Sequence, residues 1–176
     1  MIGLTTRPAT APDALALVAL VNSAYRGDSS KAGWTTEADL LGGQRIDVKG
    51  LTETIATPGN VILLHEQDHV PVGCVHLGRT GEDCYLGMLT IRPTTQGRGL
   101  GRQLLEAAER WAIEHWSSRS MHMTVIVQRI ELIAWYERRG YSRTGERKPF
   151  PYGDERFGLP RRADLAFEVL YKPLSP

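Results

Sequence analysis

The stretch M-L-T-I-R-P-T-T-Q-G-R-G-L-G-R, running from Met88 to Arg102, changes character twice. A strand-like run ends at Ile91 and Pro93 turns the chain. Gln96-Gly97-Arg98-Gly99-Leu100-Gly101 then opens a segment in which Leu104, Leu105, Ala108, Trp111 and Ala112 recur at three- and four-residue spacing. That spacing puts one apolar stripe on a helix. Glycines at its start let the backbone approach a ligand without an intervening Cβ. The first amides of a helix have no internal partners and lie at the positive end of its dipole. A strand, a glycine-rich turn and a helix in this order hold phosphate or pyrophosphate on backbone N–H groups. Arg98 and Arg102 add positive charge there.

Glycines ahead of a helix also suggest a dinucleotide fold, whose fingerprint is G-x-G-x-x-G. Counted from Gly97 the last position is Arg102, and counted from Gly99 it is Leu104. The following strand, residues 121–127, lacks the acid that binds a ribose. The dinucleotide reading fails on both counts.

Working outward, residues 61–65, 72–77 and 83–91 read as an antiparallel meander with a polar turn at residues 66–69. Residues 2–7 suggest a first strand. A helical pattern follows Pro12 and Asp13 as far as Tyr25. Residues 27–33 read as a polar, flexible stretch, and residues 51–57 as a short helical piece. Beyond the glycine-rich turn come a helix, a strand at 121–127 and a helix over 130–139 capped by Gly140. A strand at 141–146, a long polar loop at 148–162 and a last strand at 165–170 complete the order. This mixture predicts a single α/β domain over residues 1–176, with a partly antiparallel sheet.

Composition narrows the function. The chain has 176 residues, 41% hydrophobic and 23% charged, which fits one self-sufficient core. A net charge of +1 argues against a broad surface for nucleic acid or anionic membrane. Cys74 and Cys84 read as small buried side chains in neighbouring strands rather than a disulfide framework, and no metal site is expected. The apolar stretch at residues 14–21 is too short to span a bilayer, so a cytoplasmic protein is expected.

Gln96-x-x-Gly99-x-Gly101 resembles the Q/R-x-x-G-x-G/A motif of the GNAT superfamily of N-acyltransferases. Ala134-Trp135-Tyr136-Glu137-Arg138-Arg139-Gly140-Tyr141 is similar to that family's A-x-x-Y-E-K-x-G-F segment, and residues 169–174 look like its last strand. The resemblance covers residues 60–174. It implies an α/β fold whose mixed, mostly antiparallel sheet has helices on both faces and splays at its fourth and fifth strands. It also implies an acetyl-CoA-dependent N-acetyltransferase that moves the acetyl group directly to the amine of a small-molecule or amino-acid-like acceptor. Acetylation of a protein amine and a non-catalytic acyl-CoA-binding regulatory module are the alternatives; a homodimer fits either.

The resemblance assigns cofactor binding to Leu89, Thr90, Ile91, Gln96, Gly97, Arg98, Gly99, Leu100, Gly101 and Arg102. The pantetheine arm pairs with the strand and the pyrophosphate rests on the turn. An N–H near Leu89 stabilises the developing oxyanion. Tyr136 occupies the position of the tyrosine that protonates the leaving thiolate. Three departures stand out. Arg129 occupies a position where many relatives carry Asn, Leu132 one where they usually carry Ala, and residues 85–88 lack the glutamate that many relatives place on the fourth strand. Glu37, Asp39, His65, His76 and His122 are the candidate bases, and none is singled out. Two loops, residues 33–39 and 150–157, join aromatics to acids in a way that suits a cationic amine. Trp34, Glu37, Tyr152 and Asp154 are therefore the expected acceptor-binding residues.

Overall fold

The protein is described by a computed structural model over residues 3–176. In chain order its elements are β1 (Leu4–Pro8), α1 (Ala14–Tyr25), α2 (Gly27–Ser30), β2 (Leu41–Gly42), α3 (Val48–Ala56), β3 (Asn60–Gln67), β4 (Val70–Thr80) and β5 (Asp83–Ile91). They continue with α4 (Leu100–Trp116), β6 (Ser120–Ile126), α5 (Ile130–Glu137), β7 (Ser142–Pro149), β8 (Leu159–Pro160) and β9 (Ala166–Pro173). Of the strand expected over residues 2–7, Ile2 lies outside the described residues.

A seven-stranded sheet runs in the order β1-β3-β4-β5-β6-β9-β7. Strand alternation decides which side chains face which layer. In β3, Leu63 joins α4 and α5 on one face, whereas Ile62 and Leu64 join α1 and α3 on the other. The sheet is thus covered on both faces. The expected meander is β3-β4-β5, and the β3–β4 turn places Asp68 and His69 in the left-handed region at φ 51° and 64°.

Among the described residues, the junction of β5 and β6 is the one parallel pairing in the sheet. It lasts only from Asp83 opposite Ser120 to Tyr85 opposite His122. A bulge in β5 accompanies the separation: Cys74 faces Thr90, but His76 already faces Gly87. Met88, within the bulge, adopts φ 56°. Such an extra residue bends a strand and increases its twist. The strands therefore splay, as expected, and the gap between them is where the site forms.

Two segments differ from the sequence reading. Residues 27–33 begin with the short helix α2 rather than a flexible stretch. The polar loop at 148–162 is shorter than expected, because β7 continues to Pro149 and β8 pairs with β2, Leu41 opposite Pro160. Every residue of β7 is exposed. An edge strand that buries neither face carries no alternation to read. Cys74 and Cys84 are buried free thiols, both pushed up to about 12 by burial. Among the described residues no helix is long and apolar enough to cross a membrane, and no His, Cys, Asp and Glu cluster has metal-binding geometry.

Candidate active site

The splay opens two cavities that meet at Tyr25, Leu89, Arg129, Leu132 and Tyr136. The first, about 250 Å³, lies along the end of β5 and the start of α4. The second, about 360 Å³, lies between β5 and β6 and is closed by residues of β7 and β9.

The first cavity is built by the glycine-rich turn. Gly97 and Gly99 adopt φ 81° and 80°, and a Cβ on either would project into open space. The N–H groups from Gly97 through Arg102 have no hydrogen-bond partner among the described residues; the first helical bond is from the Gln103 N–H to the Gly99 carbonyl. Gln96 fixes the turn. Its Nε2 donates to the Ile91 carbonyl at 3.0 Å, and its Oε1 accepts from the Trp34 N–H at 2.9 Å. A Cβ on Gly33 would meet Gln96 Oε1 at 2.3 Å, so a side chain there would push the Gln96 amide out of these two hydrogen bonds. On the opposite wall Arg139 stacks over Trp135 at 3.7 Å.

Tyr136 sits where the cavities join. It is 4% exposed, packed edge-on against Trp135 and Tyr141, and its hydroxyl makes no hydrogen bond among the described residues. Burial pushes its pKa well above the ordinary value of 10.0, so the hydroxyl keeps its proton. Tyr25, from the end of α1, donates to the Leu89 carbonyl at 2.8 Å. That contact ties the helix to the bulged strand.

The second cavity contains a buried ion cluster. Glu37 accepts from Arg26 at 2.6 Å and from Arg129 at 2.9 Å, and Arg129 also donates to Thr35 Oγ1 at 2.8 Å. Burial alone raises the Glu37 pKa, but the charges of Arg129, Arg26 and Arg45 outweigh it, and the group lies below its ordinary value.

A glycine-led helix start facing one cavity, and a buried tyrosine between two, suit transfer of a group between two ligands. The sequence profile described as an acetyltransferase (GNAT) domain matches residues 32–150. The chain belongs to the GNAT acetyltransferase family. No curated protein matches it in sequence. Solved structures share the fold at low identity. YncA from Salmonella typhimurium, solved with its cofactor acetyl-CoA, is 20% identical over 99% of this chain and 95% of its own, with a TM-score of 0.71. The ribosomal-protein-S18-alanine N-acetyltransferase of Escherichia coli is 14% identical over 99% and 96%, also at 0.71. A spermidine N-acetyltransferase chimera of the Vibrio cholerae SpeG and hSSAT is 16% identical over 97% and 95%, at 0.69.

In this GNAT chain the residues expected to hold the cofactor are largely brought together. Leu89, Thr90, Ile91, Gln96, Gly97, Gly99, Gly101 and Arg102 all line the first cavity. Arg98 is exposed beside it, and Leu100 packs toward the core. The expected acceptor residues are dispersed. Trp34 lines the first cavity instead of the second, because Gln96 holds its backbone there. Glu37 does line the second, but as the counter-ion of two arginines. Tyr152 and Asp154 line neither. The Tyr152 hydroxyl donates to the Arg162 carbonyl, and Asp154 caps a short turn and pairs with Arg156 at 2.6 Å. From the same loop it is Phe150, Pro151 and Phe157 that reach the cavity.

Of the candidate bases, Asp39 is exposed and pairs with Lys31, His65 contacts Thr6, His76 contacts Asn60, and His122 lies behind Tyr85. Sequence reasoning missed Tyr25, Arg26 and Arg45. The near-neutral total charge conceals their convergence, and no motif marks them.

Proposed function

We propose that the protein transfers an acetyl group from acetyl-CoA directly to the amine of a small-molecule acceptor. The observation that supports this most strongly is the run of unpartnered amides at Gly97–Arg102, opening into a cavity that shares Tyr136 with a second one. These groups fit the cosubstrate. The amides and the N-terminus of α4 suit its pyrophosphate. The edge of β5 beyond Tyr85, which β6 does not pair, suits its extended arm. Acetyl-CoA supplies an activated thioester. The chain supplies its placement beside Leu89, the exclusion of bulk water by Tyr25 and Leu132, and a proton at Tyr136 Oη.

Tyr136 hydrogen-bonds the departing sulfur as the C–N bond forms and the C–S bond breaks. Its raised pKa keeps that donor in place across the working pH range. The second cavity, of a size suited to a small molecule, receives the acceptor and presents its nitrogen at the shared boundary. The test is acetyl-CoA-dependent release of free thiol with a panel of amines. Release with none of them, together with no effect of acetyl-CoA on the melting temperature, refutes the assignment.

A further inference from the structure

The acceptor cavity is charged against a simple ammonium. Arg26, Arg45, Arg129 and Lys148 line it, opposed by Glu37 alone. Glu37 is shared between Arg26 and Arg129 and so neutralises neither fully. Arg26 is 5% exposed, yet its Nε has no hydrogen-bond partner. The Nε of Arg129, whose side chain is 8% exposed, is also unpartnered. Arg45 pairs with no carboxylate among the described residues and rests over the Tyr25 ring at 5.5 Å. The loop that closes the cavity is shaped to this cluster: Gly158 stands at φ 100°, and a Cβ there would meet Arg26 Nη2 at 3.0 Å. The Nη atoms of Arg26 and Arg129 already bond Glu37, Thr35 and backbone carbonyls, and their Nε atoms are sealed from the cavity, so Arg45 is the guanidinium left open to an anion from outside, in the positive field of the other two. The remaining wall is apolar, with Ile126, Phe150, Phe157 and Phe167.

We propose that the acceptor is an amine that carries its own carboxylate, an apolar α-amino acid, held by Arg45 in the positive field of Arg26 and Arg129, with its nitrogen at Tyr136 and Leu89. The inference rests on the acetyltransferase reading and names its substrate class. It also accounts for the missing base. Arg26, Arg45, Arg129 and Lys148 still outnumber Glu37 and the bound carboxylate, so the ammonium lies in a net positive field, its pKa is lowered, and it releases its proton to water without a dedicated carboxylate. The neutral nitrogen forms the C–N bond, the C–S bond breaks, and the sulfur leaves as the thiolate and is protonated. The balance is R-NH3⁺ plus acetyl-CoA giving R-NH-acetyl, CoA thiol and one proton. A polyamine brings further positive charge into the same cavity and no anion to offset it.

The experiment compares matched pairs in the thiol-release assay. Leucine, methionine and phenylalanine are set against 3-methylbutylamine, 3-(methylthio)propylamine and 2-phenylethylamine, with spermidine and O-phosphoethanolamine alongside. Charge-assisted hydrogen bonds lost with the carboxylate predict a kcat/KM for at least one amino acid about 10- to 100-fold above that of its partner amine. Arg45→Gln should shrink that ratio about tenfold. Its fold is checked by retention of the acetyl-CoA-induced rise in melting temperature. If the partner amines, spermidine or phosphoethanolamine match or exceed every amino acid, the inference fails while the acetyltransferase reading stands. If Arg45→Gln binds acetyl-CoA normally and keeps the full ratio, the assigned carboxylate site is wrong. Thiol release from no compound, with no acetyl-CoA stabilisation, removes the reading beneath it as well.

Discussion

Tyr136 is buried, aromatic on two sides and still has a free hydroxyl at the meeting of two cavities. A residue kept only for packing gains nothing from an unpaired hydroxyl there. Tyr136→Phe keeps the ring, so the melting temperature and acetyl-CoA affinity should stay close to the parent. Turnover should fall by about 10²- to 10⁴-fold, the usual range for a lost general acid. Turnover within a few-fold of the parent would show that water protonates the sulfur. Glu37 makes the opposite kind of prediction. Removing it strands two buried guanidiniums, so Glu37→Ala should cost about 3–5 kcal/mol in urea unfolding. Because the Glu37 pKa is depressed in the fold, its contribution is present above its ordinary value of 4.5 and is lost as pH falls through the folded value. The variant and the parent should therefore converge in stability at low pH.

At the scale of elements, the helix α4 and the strand β5 define the proposed cosubstrate groove between them. Gly99 tests the groove with little steric interference, because a Cβ there enters open space. Its φ of 80° disfavours most side chains, but Asn and Asp tolerate that region better than others. Gly99→Asp and Gly99→Asn therefore impose similar strain and differ in charge. Calorimetry should show acetyl-CoA affinity falling at least tenfold more for Asp than for Asn. Equal losses would mean that the turn does not face the phosphates. The bulge in β5 belongs to this scale too. It lies where β5 has parted from β6, and Met88 and Leu89 there line the cavities.

For the molecule as a whole, ligand binding and pH give the readouts. A ligand at a hundred times its dissociation constant adds about 2.7 kcal/mol to the native state, so saturating acetyl-CoA should raise the melting temperature measurably. His76 is neutral in the fold, its pKa pushed down to about 4 by burial and then by the charge of Arg45. Its unfolded value of 6.5 is higher, so the unfolded chain binds its proton first. Stability should hold above pH 6.5 and decline as pH falls toward 4. His76→Gln, which keeps a donor for Asn60 but cannot titrate, should flatten that decline.

The sequence by itself determined the order of the main strands and helices from residue 60 onward, though not β8, together with the glycine-rich turn and the tyrosine of α5. Each is a local signal: apolar periodicity, glycine where the chain must pass close to a ligand, and a motif read within one segment. The proposed acceptor cavity was decided by tertiary structure. Arg26 follows the last residue of α1, Glu37 and Arg45 lie in the connections that come next, and Arg129 stands far along the chain, immediately before α5. Their excess of positive charge is hidden in a chain whose net charge is +1 and shows only where the splayed sheet brings them together. The acids at Glu37 and Asp154 looked available for an amine; in the fold each is already paired with arginine. Whether a carboxylate serves a ligand or a neighbouring guanidinium depends on distances between remote segments, and folding alone sets those distances.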